Sequence, residues 1–399
     1  MFAGKGQPDC LILRYVLLFC NNLRKFLQRR SESQNRLNAR LASTKPGRCM
    51  ATGARMMIGY SHRRSWSRQA VVGAAALGAI TMASPDAKAD AGGVSFWLPG
   101  LMGSLAAVPG QPGWGLATFY IHLNSSAGGG KELQRNASIV AGLQAHADVV
   151  AIAPSYTFAT PVLGGVASVA LIGVPGNVGV GIDATLTGPR GNQISGSVSD
   201  NRTTWADVFY QGSLKWNQGV HNYMTYVTGN IPSGTYDPNR LANLSYGFVA
   251  VDAGAGYTYL NPQTGHEFSA VAGLTYNFIN PHTQYQNGVD FHLDWAASKF
   301  VTKSIQVGLA GYFFQQLTGD SGIGAKLGDF KGSAVGIGPQ IGFFFPAGEG
   351  YQGYLNLRGY WDLATENRPT SSTVFVTLAF SPAAPEHPTP RRPMRVKAP

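Results

Sequence analysis

The sequence predicts an all-β fold, a transmembrane antiparallel β-barrel of about 12 strands, since such barrels have even strand numbers. One observation is alternation: between Val289 and Ser298, apolar residues alternate with Asp290, His292 and Asp294. Successive side chains of a strand point to opposite faces, so one face is apolar and the other polar. The other is composition: 13% charged residues with 51 Gly, 17 Tyr and 20 Phe. These proportions favour a barrel with aromatic girdles over an average cytosolic domain.

Alternation alone does not distinguish a soluble sandwich from a membrane barrel. A sandwich exposes its polar face to water, whereas a membrane barrel turns apolar residues to lipid and polar residues to the lumen. About a dozen alternating segments follow one another between Trp114 and Phe380, near the 9–11 residues that a tilted strand needs to cross the hydrocarbon. Their number, together with an export signal, favours the membrane barrel.

The net charge of +11 is concentrated at the N-terminus. Residues 1–89 contain 15 Lys or Arg and 3 Asp or Glu, whereas residues 90–399 contain 16 and 17. The nearly neutral remainder does not indicate a nucleic-acid partner. Cys10, Cys20 and Cys49 all precede residue 90. The rest of the chain therefore has no thiol for a disulfide, a nucleophile or a metal site.

The N-terminal region predicts export. Arg63 and Arg64 precede an apolar run from Ala70 to Ala83, and Ala87-Lys88-Ala89 then offers a cleavage site. This is the pattern of a secretory signal peptide, and the run is shorter than the roughly 20 residues of a transmembrane helix. The domain boundaries that follow are a start-site artefact or disordered extension at 1–55, the signal peptide at 56–89, an irregular lead-in at 90–113, the barrel at 114–381 and a disordered Pro/Arg-rich tail at 382–399.

Two local patterns predict breaks in the strands. Ser125–Lys131 is rich in Gly and Ser and predicts a loop after a first strand at Trp114–Asn124. Pro175-Gly176-Asn177 predicts a turn between two strands.

The last strand presents an alternating apolar face that ends at Phe380. Bacterial outer-membrane barrels commonly end this way, and we expect the barrel-assembly machinery to recognise this strand.

Polar residues on the alternating strands are candidates for the lumen wall. Asp290, His292 and Asp294 could instead bind a metal or act as acid and base. Alternate residues lie about 6.5–7 Å apart, which favours a pore wall over a shared metal. Mixed charges suit a hydrogen-bonded interior or a weakly selective passage. The lumen-lining candidates are Asp207, Gln211, Lys215, Asp290, His292, Asp294, Asn356, Arg358 and Asp362.

Other motifs give no cofactor or metal prediction. Gly319-Asp-Ser-Gly322 resembles the nucleophile box of a serine protease, but no His lies in a matching context, so we interpret it as an extracellular loop. The eight His residues form no zinc-binding pair. Glycine pairs such as Gly336-Ile-Gly338 have no following helix to bind a phosphate. We expect neither an enzyme, nor a cofactor, nor a bound metal.

Several segments resemble one known family. They are Phe96-Trp-Leu-Pro-Gly100, Ile231-Pro-Ser-Gly-Thr-Tyr-Asp237, Thr283-Gln-Tyr-Gln-Asn-Gly-Val-Asp-Phe-His-Leu-Asp294, Gly311-Tyr-Phe-Phe-Gln-Gln-Leu-Thr-Gly-Asp-Ser-Gly322 and Gly336-Ile-Gly-Pro-Gln340. The resemblance is to the meta-pathway phenol-degradation family of outer-membrane transporters, and it covers most of residues 94–380. It implies a conduit in the bacterial outer membrane for aromatic or other hydrophobic compounds.

The sequence thus leaves three functional hypotheses. The first is an outer-membrane channel for passive uptake of small hydrophobic or aromatic compounds, linked to aromatic catabolism. The second is a structural or plugged barrel without flux. The third is a hydrolase embedded in the barrel, which needs a pair such as Ser321 and His292 at its rim. The expected partners of the first are the lipid bilayer, its substrate and the assembly machinery.

Overall fold

The computed structural model describes residues 95–384 except 134–136, 188–191, 326–328 and 330. The expected signal peptide, the extension before it and nearly all of the C-terminal tail lie outside the described residues. The regular elements within the described part are β-strands. Among these residues, no helix has the length and apolar character needed to cross a membrane.

Fourteen strand segments form one antiparallel sheet, and the first pairs with the last. The segments are β1 (Gly113–Leu133), β2 (Ala137–Thr157), β3 (Val166–Ile172), β4 (Pro175–Thr187), β5 (Gln193–Trp205), β6 (Val208–Gln218), β7 (His221–Ile231), β8 (Ala250–Leu260), β9 (His266–Asn277), β10 (Asp290–Phe300), β11 (Ile305–Gln316), β12 (Ser333–Pro346), β13 (Tyr351–Glu366) and β14 (Thr370–Pro382).

Two pairs of segments each form one long strand. Both β3 and β4 pair with β2, in a single register that runs from Ser155↔Ala170 to Ser138↔Thr187. Beside them, β5 pairs with β4 and β6 pairs with β3, with one extra residue at the junction of β5 and β6. The closed barrel therefore has 12 strands, as the alternation predicted.

Both predicted breaks are wrong. Ser125–Lys131 lies within β1, where each residue pairs with β2. Pro175-Gly176-Asn177 opens β4, and the chain continues in the direction of β3 instead of reversing. In both places the ladder with β2 overrides the local preference of Gly, Ser and Pro for turns. The actual interruption is at Gly173 and Val174, between β3 and β4.

The two ends of the barrel differ in the length of their connections. The end with Gly113 and Pro382 has short turns, such as the two residues between β6 and β7. The opposite end carries the β7–β8 loop (232–249), the β9–β10 loop (278–289) and the β11–β12 loop (317–332). In outer-membrane barrels short turns are periplasmic and long loops extracellular. The long loops of this barrel are therefore extracellular.

The strands β7–β14 turn apolar side chains outward. Leu274, Leu309 and Leu357 are each about half exposed to the outside of the barrel, whereas inward neighbours such as His292 are fully buried. Without a bilayer these outward side chains would face water, at a cost of roughly 25 cal/mol per Å² of apolar surface. The closed ladder also leaves no unpaired strand edge in the hydrocarbon. The protein is accordingly an integral barrel of the outer membrane.

Four segments rise above the membrane on the extracellular side. β1 and β2 have 21 residues each, about twice the length that a tilted strand needs to cross the hydrocarbon. The upper half of β2 pairs with β4, which in turn pairs with β5, and these two segments have 13 residues each. We call the upper halves of β1 and β2, with β4 and β5, the extracellular sheet.

Midway along β1 and β2 the inward face is apolar and the outward face is polar, the reverse of the pattern on β7–β14. Ile121 points inward and is 7% exposed, in a cluster with Phe375 of β14. The neighbouring His122 therefore points outward, where its Nδ1 lies 2.7 Å from Asp148 Oδ1. The alternation on Trp114–Asn124 was correct, but its apolar face lines the lumen instead of lipid. Polar outward residues fit here because this part of the strands reaches the aqueous extracellular side.

We expect Leu309→Arg to destabilise the barrel by about 2–4 kcal/mol, because it places a guanidinium in the hydrocarbon near mid-membrane. The matched control is Ser199→Arg on β5, where Ser199 is exposed in the extracellular sheet. There we expect a change below about 0.5 kcal/mol, as for other surface substitutions. Denaturant unfolding of the protein in phospholipid vesicles, followed by Trp fluorescence, measures both. Equal losses would contradict the assignment of embedded and extracellular parts.

Candidate functional site

Residues 95–112 lie inside the barrel and form what we call the plug. The segment has no strand or helix, and it enters β1 directly at Gly113. Its side chains and backbone contact wall residues on many strands around the lumen, from β1 and β6 to β13. The plug is therefore the feature that determines what the lumen can admit.

Asp294 on β10 is the central anchor of the plug. It is 1% exposed, and it accepts hydrogen bonds from Gly100 N (2.8 Å), Met102 N (3.0 Å) and Trp97 Nε1 (3.2 Å). A buried carboxylate without partners is costly, and bonds from donors to a charged acceptor each contribute about 1.5–3 kcal/mol. One carboxylate thus fixes the first turn of the plug to the wall.

Trp97 is also held by an aromatic contact. Its ring stacks on the imidazole of His292, with centroids 3.7 Å apart and planes 10° apart. The His292 Nε2 lies 3.0 Å from Asp252 Oδ2 and 3.1 Å from the hydroxyl of Tyr226, which itself donates to Asp252 Oδ1 (2.7 Å). Asp252 on β8 thus orients the imidazole against which the plug packs.

A second carboxylate, Glu267 on β9, binds the middle of the plug. Leu105 N donates to Glu267 Oε1 (3.0 Å), and Ser104 Oγ donates to Oε2 (2.8 Å). Close by, Ala107 N donates to the Thr258 hydroxyl (3.1 Å). Glu267 is 3% exposed, so its charge is compensated by these donors and by wall hydroxyls instead of water.

Cations on other strands bind carbonyl groups of the plug. Arg358 on β13 donates from Nη1 to Gly100 O (3.2 Å) and from Nη2 to Leu101 O (3.3 Å). Lys215 on β6 donates to Val108 O (3.4 Å). Carboxylates therefore accept hydrogen bonds from several N–H groups of the plug, and cations donate to several of its C=O groups. This arrangement replaces the hydrogen bonds that a buried irregular backbone would otherwise lack.

Two leucines of the plug face a different part of the wall. Leu98 and Leu101 pack against a buried cluster that includes Ile121 of β1, Phe314 of β11 and Phe375 of β14. The lumen thus has two walls: a polar wall on β8–β10 that binds much of the plug's backbone, and an apolar wall formed mainly by β1 and β11–β14. The plug lies between them.

The lumen beside the plug is narrow in this conformation. A cavity between Leu98 and Pro99 of the plug and Leu123, Tyr312 and Arg368 of the barrel has a volume of about 30 Å³. That space holds one or two water molecules. A ring compound does not fit this cavity as it stands.

Eight of the nine sequence-predicted residues lie on inward faces of their strands, Asp207 lies between β5 and β6, and the nine have different contacts. His292, Asp294, Lys215 and Arg358 bind the plug, whereas the others bind the wall or the loops. Asp207 accepts hydrogen bonds from Ser245 Oγ (2.6 Å) and Gly234 N (3.1 Å) of the β7–β8 loop. Of the remaining four, Asp290 accepts a hydrogen bond from Asn277, and Asn356 donates one to Ile341 O. Asp362 accepts hydrogen bonds from Tyr312 Oη and Ser371 N, and Gln211 is half-buried.

Sequence reasoning missed the plug and two of its anchors. The sequence predicts only an irregular lead-in at 90–113, and the absence of periodicity gives no sign that residues 95–112 lie inside the lumen. Asp252 and Glu267 were not named, although each occupies a polar position in an otherwise apolar alternating strand. An isolated carboxylate on such a strand is the signal that could have identified them.

The Gly319-Asp-Ser-Gly322 segment joins two extracellular loops. Asp320 accepts hydrogen bonds from Tyr285 Oη, Gln316 Nε2 (2.7 Å) and Gly288 N (3.2 Å). Burial raises the pKa of Asp320, while these donors act in the opposite direction. Ser321 pairs through its backbone with Gln286. The motif therefore connects the β11–β12 loop to the β9–β10 loop. Within the described residues, no group of three or more His, Cys, Asp or Glu is placed to hold a metal ion.

Together the closed ladder, the outward apolar belt and the buried plug define a class, the plugged β-barrels of the outer membrane. A family model described as "Putative MetA-pathway of phenol degradation" matches residues 127–378, more than half of the chain. The chain belongs to this family, which confirms the resemblance found in the sequence. A search of curated protein sequences gave no match.

Several solved structures of barrel proteins are similar to this chain at low identity. A COG4313 outer membrane channel from Pseudomonas putida F1 has 13% identity and a TM-score of 0.49, with 67% of this chain and 94% of that chain covered. A FadL homologue from Pseudomonas aeruginosa has 8% identity and a TM-score of 0.35, covering 75% and 98%. The NalP translocator domain from Neisseria meningitidis has 12% identity and a TM-score of 0.30, covering 79% and 97%.

We expect Asp294→Ala to release the plug, because three buried donors lose a charged acceptor. The measurement is maleimide labelling of Ala106→Cys, a plug residue packed in the lumen, in a chain whose three native cysteines are replaced by Ser. The labelling rate should rise at least about tenfold, since a loss of 1.4 kcal/mol is tenfold and each bond contributes more.

The control for this prediction is Asp320→Ala, which removes a carboxylate that also accepts three hydrogen bonds but binds loops instead of the plug. Its labelling rate should equal that of the parent. A parent-like rate in Asp294→Ala would show that Asp294 does not hold the plug.

Proposed function

We propose that this protein is an outer-membrane conduit for passive uptake of small hydrophobic or aromatic compounds, opened by displacement of the plug. The observation that carries the proposal is the apolar wall behind the plug. Barrel lumens are ordinarily polar, yet Phe119, Ile121 and Leu123 of β1 point inward. An apolar inner wall does not stabilise an ion or a sugar that passes along it, but it does stabilise an apolar solute.

The apolar surface continues upward on the extracellular sheet. The register that turns Ile121 inward also turns inward Ala145 and Ala147 of β2 and their partners Val180 and Val178 of β4. A hydrophobic molecule therefore meets an apolar strip on β2 and β4 that leads from the extracellular side down towards Ile121, beside Asp200 and Arg202 on the same face of β5. The family's link to phenol degradation supports an aromatic substrate and a role in aromatic catabolism.

A structural barrel without flux is the second candidate, and the plug is the observation that favours it. The carboxylates and cations described above hold the plug with many buried hydrogen bonds, so an immobile plug is physically reasonable. A hydrolase has no such support: His292 is fully buried beneath Trp97, whereas Ser321 is exposed in a loop. We therefore propose that the protein is not an enzyme. For its assembly, we propose recognition of β14, which ends near Phe380, by the barrel-assembly machinery.

Single-channel recording in planar bilayers tests the conduit. We expect rare, small openings from the wild type and discrete, frequent steps from Asp294→Ala, because loss of the anchor frees the lumen. In vesicles, the same variant should admit phenol faster than the wild type does, by at least about tenfold if the plug is the barrier.

Asp320→Ala again serves as the control and should conduct like the wild type. If Asp294→Ala labels rapidly at Ala106→Cys but passes neither ions nor phenol, the conduit hypothesis fails and the structural barrel is supported. Phenol flux that is unchanged between wild type and Asp294→Ala would show that the plug is not the gate.

A further inference from the structure

A pocket of about 450 Å³ lies at the extracellular rim, outside the lumen. It is formed between the β7–β8 and β9–β10 loops, and we call it the rim pocket. Its apolar lining includes Val249 and Phe278, whose backbones are hydrogen-bonded to each other (2.9 Å). Their inward neighbours Ala250 and Asn277 are buried. Val249 and Phe278 therefore point away from the lumen, and the pocket faces the outer side of the barrel.

The walls of the rim pocket are held in place. Gly247 has a φ of +71°, and a Cβ there would lie 2.6 Å from the ring of Tyr236. Glycine thus allows this ring to lie against the backbone, where it also packs on His282 with centroids 5.5 Å apart. On the other side, His282 N donates to Asn280 Oδ1 (2.9 Å) and Asn280 Nδ2 donates to Tyr246 O (3.3 Å). The two loops therefore form a preformed site.

The chemistry of the lining defines a ligand class. The described residues that line the pocket include three aromatic rings, one imidazole, two prolines and two branched aliphatic side chains, and none of them carries a carboxylate, an ammonium or a guanidinium group. A volume of this size is in the range of small-molecule sites, which are mostly apolar with a few polar groups. It suits a neutral compound of one or two aromatic rings, with Tyr236 and His282 able to hydrogen-bond a hydroxyl.

A row of rings connects the rim pocket to the plug. Phe248 lines the pocket and is itself 5% exposed, in one buried cluster with Phe96 of the plug. Between them, the Tyr246 ring lies 5.7 Å from Phe248 and 6.0 Å from Phe96. The wall of the pocket and the start of the plug thus share a packed contact.

We propose that the rim pocket binds small neutral aromatic compounds at the outer surface, separately from the lumen. The site deepens the proposed transport function, since it lies at the extracellular end of the barrel and contacts the plug through Phe248. Its existence does not depend on flux, because binding is measured without transport.

The test is saturable binding of 4-fluorophenol to the full-length protein in detergent, measured by ¹⁹F NMR. Ile279→Glu places a carboxylate in the pocket at a residue that is already 43% exposed, so the fold should persist. Its affinity should fall at least about tenfold, because the ligand ring must desolvate the charge. The matched control is Ile323→Glu, an exposed residue of the β11–β12 loop that does not line this pocket. It should bind like the wild type.

Three outcomes overturn the proposal: no saturable binding by wild type, equal affinity of Ile279→Glu and wild type, or an equal loss in Ile323→Glu. Phenol uptake into vesicles separates this proposal from the transport function. Binding with no uptake by any variant would refute transport and leave the rim pocket intact. Uptake without saturable binding would refute the rim pocket and leave transport intact.

Discussion

The arrangement of the lumen depends on carboxylates that the barrel buries away from water. Asp294 and Glu267 face inward from β10 and β9, and both are nearly inaccessible to solvent. Neither has a neighbouring guanidinium within ion-pair distance among the described residues. Their charges are instead met by N–H and O–H donors, many of them from the plug. A segment with no regular structure of its own thereby acquires a single conformation, because the hydrogen bonds to each carboxylate form only when the backbone lies in one position.

The proposed gating by the plug depends on the same balance. The apolar contacts of Leu98 and Leu101 are non-directional, so they tolerate sliding against the cluster around Ile121. The bonds to Asp294 are directional and are lost together when the backbone shifts. A small displacement therefore separates the plug from the polar wall while its apolar side chains remain buried. The vacated space then has an apolar side, which is the side that a hydrophobic solute needs.

The strands and the outward faces of β7–β14 followed from alternation, since a period of two is a property of sequence alone. Alternation does not show which face of a strand is inside the barrel. On β1 the apolar face is the inner one, because Ile121 pairs with Phe375 of β14. The plug could not be predicted, because the barrel residues that hydrogen-bond to it lie 107–260 positions away in the chain. Nor could Asp207 be distinguished from Asp294: both are buried carboxylates, and their roles differ through the loop or plug that each happens to reach.

The position of the plug in the chain has a consequence for the order of folding. The plug directly precedes β1, yet its anchors lie on β6 and β8–β13, with sequence separations such as 194 residues between Gly100 and Asp294. Such non-local contacts carry a large loop-closure entropy and form late. The seam between β1 and β14 joins Leu116 to Phe380, only a few residues beyond the plug. Pairing of β1 with β14 and docking of the plug thus involve adjacent parts of the chain, and both occur late in folding. The barrel becomes impermeable only when its last strand has paired with its first.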